Sequence, residues 1–260
     1  METVLVTGGG GYIGCVLVPQ LLEAGYAVRV LDRFFFGRDL LPEDERLELI
    51  QEDSRRVRPD HLAGIDHVID LVALSNDPSG ELFQKATWEI NHASRVRTAH
   101  LARELGIKRY LFPSSCSIYG YQEPGVIADE TSPINPLTTY ARANRKAEEG
   151  ILPLADDHFC AVALRQATVY GYSPRMRFDL AINGMAYGAW STGRLPLLRD
   201  GTQWRPMVHV QDTARAMVFM LTAPADRVNG EIFNVGSGEN NYQLGPLAEE
   251  VAAAVPRPVE

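Results

Sequence analysis

Four consecutive glycines, Gly8 to Gly11, stand between the apolar run Val4, Leu5, Val6 and a helical repeat. Apolar residues recur at Ile13, Val16, Leu17, Leu21 and Leu22 until Gly25 stops the pattern. Pro19 lies inside that repeat and predicts a kink or a local irregularity. A second strand, AVRVLD, ends at Asp32. Strand, glycine turn, helix and strand in so few residues read as a βαβ unit, which brings two parallel strands under one helix. Gly8-x-x-Gly11-x-x-Gly14 falls at the strand-to-helix turn, with Tyr12 and Ile13 between its last two glycines. Glycine there permits positive φ and lets backbone N–H groups approach a pyrophosphate, which the helix N-terminus also favours. A bare structural turn would use the same residues. Asp32 favours the ligand, because an acid at the end of the second strand accepts hydrogen bonds from an adenosine ribose.

The same acid repels a 2′-phosphate, so NAD is the expected cofactor, with Arg33 and Arg38 nearby as opposing charges. Asp53, followed by Ser54, is placed to reach the adenine amino group or is simply an exposed acid at a strand end. The apolar run HVIDLVAL (67–74) predicts a buried strand whose end sets Leu71, Val72 and Ala73 beside the cofactor.

The alternation continues along the chain. Residues 81–105 predict one or two helices, KRYLFPSS (108–115) a strand, Tyr140 to Ile151 a helix, and FCAVALR (159–165) another strand. Strands buried on both faces and separated by helices imply an α/β fold with a doubly wound, Rossmann-type parallel sheet. We expect that domain over 1–171, with a returning strand near 230–236. From Tyr172 prolines (Pro174, Pro196, Pro206) and glycines break the pattern. Residues 172–260 therefore predict a smaller, loop-rich substrate lobe over the strands' carboxyl ends, closed by a helix at 245–255.

Composition narrows the class. With 260 residues, 45% of them hydrophobic, the chain is too apolar for intrinsic disorder. A formal charge of -8 excludes a general nucleic-acid binder. Cys15, Cys116 and Cys160 fit neither a disulfide framework nor a CxxC site and suggest a reducing compartment. No apolar run is long enough to span a bilayer, and METVLVTGG shows no signal peptide. A cytoplasmic protein without a metal site is the expectation.

VTGGGGYIG, the LD of 31–32, Asn91, SSCSIYG (114–120), NPLTTYARAN (135–144), LRQATVYG (164–171) and RPMVHVQDTARA (205–216) occur in this order. Together they resemble the extended short-chain dehydrogenases/reductases, the family of NAD-dependent nucleotide-sugar epimerases and dehydratases. The resemblance implies that Tyr140 exchanges a proton with a sugar hydroxyl, that Ser115 hydrogen-bonds the same oxygen, and that Asn91 belongs to the cofactor site. It also implies a lysine four residues after the tyrosine, holding the nicotinamide ribose and charging the site. Here that position is Asn144, able to hydrogen-bond a ribose but uncharged. Residue i+4 shares a helix face with residue i, whereas Arg145 and Lys146 point about 140° and 240° away and do not substitute. A unit charge about 4 Å from a phenolate is worth roughly 4 kcal/mol at an effective dielectric of 20. Oxidised nicotinamide supplies part of that, so we expect an active enzyme with a slower or retuned Tyr140.

Family dehydratases carry an acid pair after the Ser/Thr, and family decarboxylases a Glu two residues before the YG tyrosine. Cys116 and Ser117 stand there instead, and without a carboxylate elimination lacks its acid/base. Cys116 reads as a small buried thiol rather than an acid or nucleophile. What remains is NAD-dependent epimerisation of a nucleotide-diphosphate sugar through a transient keto sugar. The rivals are net reduction or oxidation of a sugar nucleotide, and a catalytically weak NAD-binding sensor.

Arg175, Arg177, Arg194, Arg199 and Arg205 outnumber Asp179 and Asp200 between 172 and 205. They predict a pyrophosphate clamp as much as a solvated basic face. By resemblance Arg205 contacts the substrate nucleotide, with Arg177 and Asn183 as further candidates. Ser75 and Ser117 complete the sugar-pocket set, and Asp77-Pro78 is equally a plain turn. Thr168 replaces an asparagine that usually follows the arginine of LRxxN. His209 reads as a packed or capping residue. Relatives usually extend a few dozen residues past a point like Glu260, and subunits often pair, so a homodimer is expected.

Overall fold

The computed structural model of the chain describes residues 1–122, 125–195, 197 and 200–259. β1 (Thr3–Thr7) carries Val4, Leu5 and Val6 with no exposed surface at all. Side chains alternate across a strand. Val4 and Val6 accordingly join one hydrophobic cluster and Leu5 another, so the sheet is covered on both faces. β2 (Ala27–Asp32), β3 (Leu47–Gln51), β4 (His67–Asp70), β5 (Arg109–Ser115), β6 (Cys160–Gln166) and β9 (Ile232–Val235) complete a seven-stranded sheet in the order β3-β2-β1-β4-β5-β6-β9. Every pairing in it is parallel. This is the doubly wound Rossmann-type sheet the sequence predicts. Its order reverses between β1 and β4, where open α/β sheets bind ligands.

α1 (Gly14–Glu23) and α8 (Val210–Thr222) cover the Val4/Val6 face, sharing one cluster through Val16, Leu17, Leu21, Ala214 and Met217. The other face is covered by α2 (Pro59–Leu62), α5 (Arg95–Glu104) and α6 (Thr139–Ile151), which bring Leu62, Ala99, Ala102, Ala147 and Ile151 against Tyr110 and Phe112. α3 (Asp77–Leu82) and α4 (Gln84–Trp88) precede a π-helical turn, Glu89–Ser94, that runs into α5. β7 (Thr168–Tyr170), β8 (Trp204–His209) and β10 (Asn241–Gln243) form a second sheet in the order β10-β8-β7, with α7 (Ala181–Thr192) and α10 (Leu244–Ala254) beside it. α9 (Ala225–Val228) leads back to β9.

Three local expectations change. The strand over 67–74 stops at Asp70; Leu71 N–H still donates to the Thr7 carbonyl of β1 at 3.0 Å, and by Leu74 the backbone is bonded outside the sheet. The Leu74 N–H and C=O are both taken by the Asn91 amide, at 2.9 Å each. α1 runs from Gly14 to Glu23 with Pro19 inside it. The return of the chain to the large sheet is longer than one strand, since α8 packs there before β9. β7, inside the span 1–171, belongs to the smaller sheet.

Candidate active site

The glycine turn is shaped by close approach. The Gly8 backbone, at φ +74°, would bring a Cβ to 2.9 Å from the Val72 nitrogen, and a Cβ on Gly14 would lie 2.4 Å from the Gly9 carbonyl oxygen. Gly11 N–H donates to the Gly8 carbonyl at 3.1 Å, which closes the turn. α1 starts with no side-chain cap and no acid in its first turn, so its N-terminal N–H groups face only backbone and the crevice. Asp32 accepts Gly10 N–H at 3.1 Å and Phe34 N–H at 2.7 Å, which fixes its carboxylate at the end of β2 beside the turn. This donor-rich, uncapped turn with a fixed acid beside it fits a dinucleotide. Leu71, Val72 and Ala73 form the half-buried floor opposite Gly8.

Other cofactor candidates do different work. The Asp53 carboxylate is held down at about 2, first by its hydrogen bond to Arg55, and it also caps the turn Ser54–Arg56. Arg33 lies 3.4 Å from it and stacks over Phe35. Ser54 is buried beneath that turn. Asn91 is fully buried with both ends of its amide bonded to Leu74, so it shapes the loop after β4. Tyr12 and Asn183 are spent on each other. Asn183 Nδ2 donates to the Tyr12 hydroxyl at 3.1 Å, and that hydroxyl donates to the Gly171 carbonyl at 2.8 Å. Asn183 Oδ1 accepts Gly171 N–H at 3.0 Å. With Ser173 bonding the Tyr12 carbonyl, the pair joins the glycine turn to the smaller lobe. The expectation that Asn183 contacts substrate gives way to this buried joint.

Ser115 ends β5 and caps the short turn Cys116–Tyr119, where its Oγ accepts Ser117 N–H at 3.2 Å. Its hydroxyl hydrogen is left to donate. Ser117 Oγ is the one buried hydroxyl without a partner among the described residues. Burial pushes the Cys116 thiol up to about 11 against the opposing charge of Arg205, so it is a neutral thiol at pH 7 and no base. Arg205 lies exposed on β8.

Tyr140 lies in the first turn of α6. Thr138 caps that helix, bonding Ala141 N–H and donating to Asp77, while Glu81 accepts Thr139 N–H at 2.6 Å. The half-buried Tyr140 makes no side-chain hydrogen bond among the described residues, and Gly80 leaves it room. Asn144 has no exposed surface. Its Nδ2 donates to the Tyr140 carbonyl at 3.0 Å and its Oδ1 accepts from Arg95 at 2.9 Å. The expected hydrogen bond from Asn144 to a ribose is therefore replaced by bonds inside the protein. Arg145 and Lys146 both pair with Glu149, and Arg145 also reaches Glu148 at 3.4 Å.

Arg177 crosses the crevice. It donates to Ser75 Oγ at 2.8 Å and forks onto Asp179, whose other tie is the Asn76 amide at 3.0 Å. Burial pushes Asp179 up, but Arg177 and Asn76 together hold it at about 2. Ser75 and Arg177, both substrate candidates, are thus adjacent. Arg175 stacks over Phe36 at 3.8 Å, Arg194 is exposed, and Arg199 lies outside the described residues. His209 caps α8 and packs edge-on against Tyr170. Thr168 lies in β7.

Sequence reasoning missed two buried networks under α6. Glu148 accepts a fork from Arg165 (3.0 and 2.9 Å) and the Ser114 hydroxyl at 2.7 Å. Arg95, Asp70, Thr7 and Tyr110 form the other. The available signal was charge inside apolar runs, Arg165 in FCAVALR and Asp70 in HVIDLVAL. Among the described residues no cluster suits a metal ion and no helix is long and apolar enough to cross a membrane.

The glycine cradle at the strand-order reversal, with a fixed acid at the end of β2, defines a dinucleotide-binding fold. The sequence profile of the NAD dependent epimerase/dehydratase family matches residues 4–236, and the chain belongs to that family. It is an extended short-chain dehydrogenase/reductase whose cofactor is NAD. The UDP-glucose 4-epimerase of Mus musculus is 31% identical over 276 residues, spanning 92% of this chain and 78% of that protein. The solved structure of MoeE5 with UDP-glucuronic acid and NAD superposes with a TM-score of 0.87 at 28% identity, covering 97% of this chain and 82% of that one. The UDP-glucose 4-epimerase of Thermus thermophilus, in complex with NAD, gives 0.86 at 25% identity, covering 100% and 85%.

Proposed function

We propose that the chain is an NAD-dependent 4-epimerase of a nucleotide-diphosphate sugar. The observation that carries this reading is the wall after Ser115. A neutral thiol at Cys116 and the small hydroxyl of Ser117 stand there, so no carboxylate is in place for elimination. When bound, NAD supplies reversible hydride transfer. Tyr140 takes the proton of the sugar hydroxyl and returns it after the keto sugar has presented its other face. Ser115 donates to the same oxygen, its Oγ lone pair being held by Ser117 N–H. The Ser75–Arg177–Asp179 bridge lines the path to the sugar, and Arg205 meets the nucleotide phosphates. The same reading includes a homodimer.

Proton NMR of the purified protein, without added cofactor, against UDP- and dTDP-linked glucose, galactose and glucuronate tests it. The expected result is conversion to the 4-epimer, reduced at least about 100-fold in Tyr140→Phe. A 4-keto-6-deoxy product, or turnover untouched by Tyr140→Phe, overturns it.

A further inference from the structure

Asn144 leaves the tyrosine helix without its cation, but another cation sits at the same point. Arg95 opens α5, is 2% exposed, and donates Nη1 to Asn144 Oδ1 at 2.9 Å. Its other edge faces Asp70: Nη2 donates to the Asp70 carbonyl at 3.5 Å, and Nε lies 3.9 Å from Oδ1 with no hydrogen-bond partner. The guanidinium carbon is 4.9 Å from the centre of the Phe112 ring.

A buried arginine is ordinarily closed by a forked carboxylate, as Arg165 is closed by Glu148. Asp70 does not close Arg95 in that way. Its Oδ1 takes the Thr7 hydroxyl and its Oδ2 the Tyr110 hydroxyl, each at 2.5 Å. Tyr110 stays neutral, because burial and then the Asp70 charge push it well above its ordinary value. The other charged groups around α6 are engaged as well. Asp77 and Glu81 of α3 bond Thr138 and Thr139, Glu148 takes Arg165 and, at 3.4 Å, Arg145, which also pairs with Glu149, and Arg142 donates to the Pro136 carbonyl. Arg95 thus directs an unforked positive charge at α6, one turn from Tyr140.

We propose that Arg95 supplies from α5 the charge that the family's lysine supplies from the tyrosine's own helix, with Asn144 as the bracket holding Nη1 toward the Tyr140 turn. The proposal rests on the redox reading of the crevice. Arg95 is a positioning residue that touches neither sugar nor cofactor. It also explains the asparagine, since a lysine at 144 would drive its ammonium into the guanidinium.

The test compares wild type, Arg95→Lys and the charge-neutral pair Asp70→Asn/Arg95→Met, which leaves no lone buried charge. One readout is the pH profile of kcat. The other is ultraviolet titration of tyrosinate, each protein measured against its own Tyr140→Phe partner, which needs no turnover. A unit charge about 10 Å away at an effective dielectric of 20 displaces an ionisation by roughly one pH unit. The neutral pair also removes the opposing Asp70 charge, so it should move both profiles up by a fraction of that, Arg95→Lys should leave them in place, and adding Asn144→Lys to the neutral pair should carry them down again. Profiles unmoved in the neutral pair, whatever its rate or stability, overturn the proposal. If the pair does not fold, Asn144→Leu releases Nη1 and decides in the same way. If no sugar is converted by any form, the epimerase reading fails while the tyrosinate titration still decides the role of Arg95.

Discussion

Glu148→Gln is the substitution with the most direct consequence for this fold. Glu148 is wholly buried and Arg165 is 2% exposed, and two N–H···O bonds join them. The amide keeps the shape of the side chain but removes its charge, leaving the Arg165 guanidinium uncompensated in the interior. Breaking a buried pair from one side costs about 3–5 kcal/mol. A domain of this kind holds roughly 5–15 kcal/mol in all, so about a fifth or more of its stability is at stake. With a urea m-value of about 3 kcal/mol/M, the midpoint falls by roughly 1–1.7 M. Glu148→Leu/Arg165→Met removes both charges and should lose much less than the sum of its single variants. Urea unfolding followed by circular dichroism gives both numbers. A loss under about 1 kcal/mol in Glu148→Gln, or a double variant as unstable as the sum, refutes the reasoning. The Ser114 hydroxyl also bonds Glu148, tying α6 to the strand that presents Ser115, so kcat should fall even where the variant stays folded.

Two further outcomes follow from the cofactor side. Gly14→Ala places a Cβ 2.4 Å from the Gly9 carbonyl oxygen, so the turn cannot close, and the purified variant should carry no NAD; a full complement of released nucleotide on chromatography contradicts this. Asp53 sits near 2 through its Arg55 bond, below its ordinary value of 3.8, so its contribution is present above about pH 4 and is lost as pH falls toward 2. Because Arg55 is over a third exposed, that contribution is of order 1 kcal/mol, and Asp53→Asn should flatten the acid slope of unfolding free energy by that amount.

The large sheet and the glycine cradle were legible because their signals are local. Period-two burial and glycine spacing are set within a few residues, and Val4, Leu5 and Val6 divide between the two faces as alternation demands. The end of β4 was not legible, since the apolar run continues past Asp70 while its hydrogen-bond partner, Asn91, lies well downstream. Asn183 was misplaced for a similar reason. Its amide looked available for a ligand, but Tyr12 and Gly171, far away in sequence, already use it. Ser115 at the end of β5 and Tyr140 in the first turn of α6 fall where the sequence pattern puts them, because strand end and helix start are local signals.

The missing lysine shows where the limit lies. Along α6, helical angles exclude Arg145 and Lys146, and their side chains pair with Glu148 and Glu149 instead. Helical spacing reaches only the tyrosine's own helix, whereas the inward-facing cation comes from α5, forty-nine positions earlier. α6 therefore rests on two buried arginines of opposite design. Arg165 is closed by a fork and serves folding, because a fully bonded pair projects little field. Arg95 is left open toward the tyrosine turn, with Nε unsatisfied and both Asp70 oxygens given to hydroxyls. Folding alone favours closing such a charge or replacing it with an apolar side chain, so an open one beside a proton-transfer residue is better accounted for by chemistry than by packing.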